Sequence, residues 1–187
     1  MQNPRLASRY AKSLLDLAVE QHSLDDTLKD VQLLDSICRG SRDFENMLRS
    51  PVIKADKKQQ IISAVLGAGI GALTQAFVTL LVNKGREAYL PEIAAAFISQ
   101  YKELKRIRTV RLTTAVPVSD SVREAIRARV AAGMPDNTVE LTAGVNPDLI
   151  GGFVLEMEDR LFDASIRKEL NDIKSQFLKN TYVSELR

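Results

Sequence analysis

Apolar residues recur at three- and four-residue spacing through about the first hundred positions of the chain, and thereafter at a spacing of two. Ala7, Tyr10, Ala11, Leu14, Leu15 and Ala18 describe one face of a helix reaching to about Gln21, with Asn3 placed to cap it and Pro4 in its first turn. Leu24, Leu28, Val31, Leu34 and Ile37 predict a second helix, capped by Ser23 and ended at Gly40. A short third helix covers about Arg42 to Arg49. Ser50 and Pro51 stop it, because proline disfavours helical geometry in the residue before it. Two more helices flank the cluster GAGIGA, Gly67 to Ala72. A sixth begins near Tyr89, with Pro91 in its first turn and Leu90, Ile93, Phe97, Tyr101 and Leu104 as its stripe. Short links between amphipathic helices predict an antiparallel six-helix bundle over residues 1–105.

The change of period marks a second domain, residues 106–187. In RTVRLTTAV, Val110, Leu112, Thr114 and Val116 alternate with Arg111, Thr113 and Ala115, the pattern of a half-buried strand that Pro117 ends. Ser119 is placed to cap a helix carrying Val122, Ile126 and Val130 as far as Gly133. Val139, Leu141 and Ala143 predict another strand. Two more strands, Gly151 to Met157 and Arg160 to Phe162, turn at Glu158 and Asp159. Asp163 is placed to cap a last helix with Ile166, Leu170, Ile173 and Phe177 on one face. The result is a small α+β domain of roughly 80 residues, a size at which stability is marginal.

Composition changes this picture little. Twenty-six Lys and Arg against 24 Asp and Glu leave a net charge of +2, too weak a field to recruit nucleic acid unaided. Cys38 is the single cysteine, so an intrachain disulfide and a multi-cysteine metal site are both excluded; it reads as a small buried apolar residue. MQNPRLASRYAKSLL lacks the apolar core of a secretory signal, and a protein that stays inside the cell is expected.

Chemical motifs are sparse. IISAVLGAGIGALTQAFVTLL offers Gly67, Gly69 and Ala72 in the spacing of a dinucleotide-binding turn, but that fold needs a second apolar strand and an acidic residue about 20 positions on. NKGREAYLPEI supplies neither, and a glycine-rich link between helices is the expectation. Ile61 to Val82 is free of charge over 22 residues, yet Ser63, Thr74, Gln75 and Thr79 interrupt it and each half keeps a one-sided stripe. Buried helices in water are predicted there. His22 has no serine or cysteine motif around it and reads as a solvated link residue. Glu156, Glu158, Asp159 and Asp163 form an acidic group, but Glu156 and Glu158 share the face opposite Phe153, Leu155 and Met157, the solvent side of a strand. The basic run KELKRIRTVR, Lys102 to Arg111, has only Tyr101 as a stacking aromatic, so an RNA-binding module stays a minor alternative to a solvated helix end. Gly151 and Gly152 are followed by Phe153 and Val154 rather than a lysine and a hydroxyl. The pair therefore permits a bulge or a close backbone approach, and holds no phosphate.

Taken together, these stretches resemble the delta subunit of F-type ATP synthases, the family of the mitochondrial oligomycin-sensitivity-conferring protein, over essentially the whole chain. The most specific part is VELTAGVNPDLIGGFVLEME, Val139 to Glu158, with Gly151 and Gly152 as the family's glycine pair, followed by DASIRKEL with Asp163 and Ser165. SRYAKSLLDLA, LRSPVI, LLVNKGREAYLPEI and TTAVPVS support it. Ala164 stands where members often have glycine, and the lysine of NKGRE departs from a commoner pattern. The resemblance implies a stator element without chemistry or cofactor of its own. Its helical domain would hold the N-terminal segment of an alpha subunit of the catalytic head, and its C-terminal domain the end of the b-type peripheral stalk subunit. The family places the alpha-binding trough between the first and fifth helices, which implies Tyr10, Ala11, Leu14, Phe77, Leu80 and Leu81 near it. A bacterial protein at the cytoplasmic face of the inner membrane, associated with the membrane only through the complex, is expected.

Overall fold

The structure, a computed structural model, describes residues 4–134, 137–157 and 160–178. The chain divides into two compact units, Met1–Leu104 and Lys105–Arg187. The first is helical: α1 (Pro4–Glu20), α2 (Leu24–Gly40), α3 (Arg42–Arg49), α4 (Ala55–Leu66), α5 (Ala72–Asn83) and α6 (Leu90–Leu104), with 3-10 turns at Gly67–Gly69 and Glu87–Tyr89.

Helix α6 is the hub of this unit, because α1 and α2 both pack on it. Leu90, Ile93, Ala94, Phe97 and Tyr101 form its buried row, and Phe97 is fully enclosed. Burying that one ring contributes about 2–3 kcal/mol. From α1 come Ala7, Ala11 and Ala18 beside Leu14 and Leu15, small residues alternating with large ones so that two helix backbones can approach closely. Leu104, expected in the stripe, is half exposed at the frayed end of α6.

Two polar contacts are built into the interior. Asp30 of α2 is 9% exposed, and its Oδ2 accepts hydrogen bonds from the Gly71 N–H at 2.9 Å and the Thr74 hydroxyl at 2.7 Å. Both donors belong to the first turn of α5, where backbone N–H groups have no helical partner and the helix dipole favours an anion. A carboxylate from α2 thus caps α5 across 41 residues of sequence. Lys58 of α4 is the second case. Its ammonium donates to the Leu48 carbonyl at 2.8 Å and to Glu87 Oε1 at 2.7 Å, tying α4 to the end of α3 and to the turn before α6.

These polar groups displace part of the expected second-helix stripe. Thr27, Asp30, Val31, Leu34 and Cys38 are buried, whereas Leu24, Leu28 and Ile37 are only half buried. Ser23 stands at the cap position but makes no side-chain cap bond, since its φ of −112° and ψ of 23° are not the extended geometry a cap needs. Ser41 instead caps α3, accepting from the Phe44 N–H. The expected cap at Asn3 lies outside the described residues.

The second unit contains β1 (Ile107–Thr114), α7 (Asp120–Ala132), β2 (Thr138–Val145), β3 (Gly152–Met157), β4 (Arg160–Ser165) and α8 (Ile166–Leu178). The sheet order is β2-β1-β3-β4, with β1 parallel to β2 and antiparallel to β3, and with β3 antiparallel to β4. A parallel neighbour requires a crossover, and α7 supplies it while packing on β2. Val110 and Leu112 of the central strand carry the core. β1 stops at Thr114, whose hydroxyl donates to the Val116 carbonyl; Val116, expected in the strand, is exposed beyond it. Ser119 makes no cap bond to α7, its hydroxyl pairing with that of Ser121. The turn expected at Glu158 and Asp159 lies outside the described residues.

The cap of α8 also differs from expectation. Strand β4 runs on through Asp163 to Ser165, and Ser165 Oγ accepts from the Lys168 N–H at 3.2 Å, so Ser165 is the cap. Asp163 lies two residues too early; its Oδ1 accepts from the Ser165 N–H at 2.9 Å and so fixes the capping residue. Hydrogen bonding with the Ser165 side chain, and then with its backbone, holds the Asp163 carboxyl below its ordinary 3.8.

Asp30→Ala is expected to destabilise the helical unit by about 3 kcal/mol in urea unfolding, because two buried donors lose a charged acceptor. Cys38 is 4% exposed and burial pushes its thiol up to about 11, so the native protein at pH 8 is expected to leave a thiol-reactive disulfide dye unreduced until urea opens the unit. For Asp163 the lowered value means that its contribution is present above about pH 4 and is lost as pH falls through the folded value. Asp163→Asn is expected to flatten that acid limb in a pH series of unfolding midpoints.

Candidate partner-binding surfaces

The glycine pair opens β3 with a contact that allows no side chain. Gly152 has φ +76° and pairs with Ser165, and a Cβ on it would collide with the Ala164 backbone carbonyl. Gly151 is tight against the Ile166 side chain, and its carbonyl accepts from the Ile166 N–H at 3.1 Å. Close backbone approach accounts for both glycines, and the register of β3 against β4 runs on without a bulge. In the same turn Asn146 Oδ1 accepts from the Asp148 N–H, Leu149 is buried, and Ile150 takes a left-handed φ of 66° while its side chain is 65% exposed.

The six residues implied at the trough separate into two groups. Ala11, Leu14 and Leu81 are within 1% of full burial, inside the helical core, with no surface to offer. Tyr10 and Phe77 are half buried and meet edge to face, ring centroids 6.5 Å apart at 66°, joining α1 to α5. Leu80 is 46% exposed, and with Ala72, Gln75, Ala76, Thr79, Asn83 and Lys84 it lines an open groove along α5. Leu17, which sequence reasoning left out, is also exposed. Its signal was the row Leu6, Tyr10, Ser13, Leu17, spaced four, three and four residues apart along the edge of α1 that carries Tyr10.

Chemical alternatives find no geometry. IISAVL before Gly67 is helix α4, so the strand that a dinucleotide-binding turn requires is missing. His22 is exposed at φ 53° in the link between α1 and α2. Glu156 stands opposite Arg111 in the β1–β3 register, with 3.9 Å between their charged groups on the solvent side. Among the described residues no group of three His, Cys, Asp or Glu could hold a metal, and no helix is long and apolar enough to cross a membrane. Lys102 to Arg111 is divided between the end of α6 and β1.

The second unit carries its own apolar surface. Val110, Val130, Leu155, Met157, Leu161 and Phe162 line an open groove beside α7, with Arg160 at its edge. Phe162 packs on Phe153, ring centroids 6.1 Å apart, yet remains 61% exposed. The face expected to bury α8 is uncovered: Ile166, Leu170, Ile173 and Phe177 are 43%, 51%, 49% and 85% exposed.

Residues 6–177 match the family model described as ATP synthase delta (OSCP) subunit. The chain is similar to the ATP synthase subunit delta of Cytophaga hutchinsonii, 35% identical over 95% of this chain and 96% of that one. It is 32% identical to the same subunit of Christiangramia forsetii over the full length of both, and 35% identical to the chloroplastic delta subunit of Emiliania huxleyi over 91% and 95%. A chain of the Toxoplasma gondii mitochondrial ATP synthase hexamer superposes with a TM-score of 0.71 at 19% identity, covering 95% of this chain and 98% of its own, which establishes a shared fold of helical and α+β units. The chain therefore belongs to the ATP synthase delta (OSCP) subunit family, a non-catalytic component of the peripheral stalk of ATP synthase.

Proposed function

We propose that the chain is the clamp of a rotary stator. Residues 1–105, acting as one antiparallel six-helix bundle, hold the N-terminal segment of an alpha subunit of the catalytic head; residues 106–187 hold the C-terminal end of the b-type stalk subunit. The clamp sits at the cytoplasmic face of a bacterial inner membrane and meets that membrane only through the complex. In this role it carries torque and transforms no molecule. Proton-driven rotation is thereby coupled to ATP synthesis.

What supports the head-binding half is the half-exposed apolar edge where α1 meets α5. Tyr10 and Phe77 form its floor, and Leu17 and Leu80 stand open on either helix. Such an edge accepts an amphipathic helix laid along it, with apolar anchors every three or four residues. Ala72 and Ala76 leave room along α5 for close approach.

Retention through many catalytic cycles sets the affinity needed. With association near ~10⁶ M⁻¹s⁻¹, a nanomolar complex dissociates at about 10⁻³ s⁻¹, slower than turnovers of roughly 1 to 10³ s⁻¹. Calorimetry of the full chain with a synthetic alpha N-terminal peptide is expected to show saturable binding, and its absence contradicts the reading. Leu80→Asp is expected to weaken that binding at least about tenfold with folding intact, because it places a charge at an exposed anchor. Leu81→Ala, in the core, is expected instead to cost about 2–5 kcal/mol of stability while the folded fraction binds normally.

A further inference from the structure

Helix α5 carries half of the proposed head-binding edge, yet its own sequence does little to say where it lies. The link before it holds Gly67, Gly69 and Gly71 within five residues, with Gly67 at φ 56°, and a Cβ at Gly67 or Gly69 would meet nothing within 4 Å. Nothing among the described residues packs against the link at either position. Gly71, at the cap position, brings no side chain to accept from the first turn. Asp30 of α2 supplies that acceptor, and one oxygen, Oδ2, takes both the Gly71 N–H at 2.9 Å and the Thr74 hydroxyl at 2.7 Å. The first bond fixes the start of α5. The second fixes its roll, because Thr74 must keep facing α2. On a helix Phe77 is turned about 60° from Thr74 and Leu80 about 120°, so the roll decides how far both stand toward α1. A roll of about 20° carries a side-chain tip roughly 2 Å around the helix surface.

Resting on the proposed hold on the head segment, we propose that Asp30 is a positioning residue for that binding: its bonds to Gly71 and Thr74 keep Phe77 and Leu80 turned toward the incoming helix, beside Tyr10 and Leu17. At 9% exposure Asp30 does not itself form part of the edge. The edge-to-face contact of Tyr10 with Phe77 is one that this roll of α5 permits. Without the carboxylate, α5 keeps its buried residues Val78, Leu81 and Val82, but its first turn is untied. The segment then meets a competent edge only in the fraction of molecules with α5 in place, and apparent affinity falls by that fraction. Loss of this kind slows association, whereas loss of a contact such as Leu80 speeds dissociation.

The test uses the full chain and the synthetic alpha N-terminal peptide, with calorimetry for affinity and stopped-flow fluorescence for rates, at a temperature where circular dichroism shows each variant folded. Asp30→Ala is expected to weaken binding about tenfold, nearly all of it in the association rate. Asp30→Asn leaves an oxygen able to accept both bonds and is expected to bind within about threefold of wild type. Thr74→Val removes one bond from a side chain of the same shape and is expected to fall between the two; it carries the same test if Asp30→Ala does not fold. In the Asp30→Ala chain, Gly69→Ala stiffens the link and is expected to recover about threefold, whereas Gly40→Ala, at the end of α2 with open space around it, is expected to recover none. If folded Asp30→Ala and Thr74→Val bind like wild type, the positioning role is overturned while the head-binding reading stands. A loss that lies in the dissociation rate, or that both glycine substitutions repair equally, also overturns it. If the wild-type chain binds no peptide, the head-binding reading itself falls, and the positioning role with it.

Discussion

The helical unit depends on how its fifth helix is started. A glycine-rich link cannot fix the direction of the helix after it, since Gly67, Gly69 and Gly71 each admit many backbone conformations. Asp30 supplies the missing constraint by holding the Gly71 N–H and the Thr74 hydroxyl from the neighbouring helix. There is little room for anything larger at Gly71, where a Cβ would lie 3.1 Å from the carboxylate. The exposed edge on α5 thus inherits its position from a buried carboxylate one helix away.

A stator part is asked to transmit force rather than to rearrange bonds, and the distribution of polar groups fits that demand. Lys58 and Glu87 pin the loop ahead of α6 to α3 and α4, and Asp30 pins α5 to α2. Breaking one partner of a buried charged contact strands the other, so these contacts resist displacement more strongly than dispersive packing alone. Part of the apolar surface that is left open, by contrast, lies in rows on helices, Leu17 and Leu80 beside the half-buried Tyr10 in one unit and Ile166 to Phe177 in the other, and part on strand β4 and its neighbouring links, at Leu161, Phe162 and Ile150. Pinned interiors beside open helical rows suit the proposed clamp.

The architecture was legible wherever hydrophobic periodicity was strong. The row of α1, that of α6 as far as Tyr101, the alternation of β1 as far as Thr114 and the breaks at Pro51 and the glycine cluster lie where the pattern placed them, while Leu104 and Val116 at the ends of two of these rows do not. Less legible was anything that depends on a contact distant in sequence. Asp30 and Thr27 lie outside the apolar stripe that spacing picks out in α2, yet both are buried: Asp30 because its partner lies 41 residues away, Thr27 with its hydroxyl donating to the Ser23 carbonyl. The α8 cap was misplaced by two residues because DAS contains two capping residue types, and strand pairing with β3 holds the first of them extended. Of the residues implied at the trough, spacing alone could not separate Leu80 from Leu81. Adjacent positions on a helix differ by about 100° in direction, and only the packed neighbours decide which faces inward.

The central claim is that this chain couples the head to the stalk mechanically. It is tested most directly in membrane vesicles stripped of the subunit, by measuring proton-driven ATP synthesis before and after the purified chain is restored. The account predicts that synthesis is lost in the stripped vesicles and recovers in proportion to added chain, while the detached head still hydrolyses ATP. Undiminished synthesis in vesicles fully depleted of the subunit would contradict it.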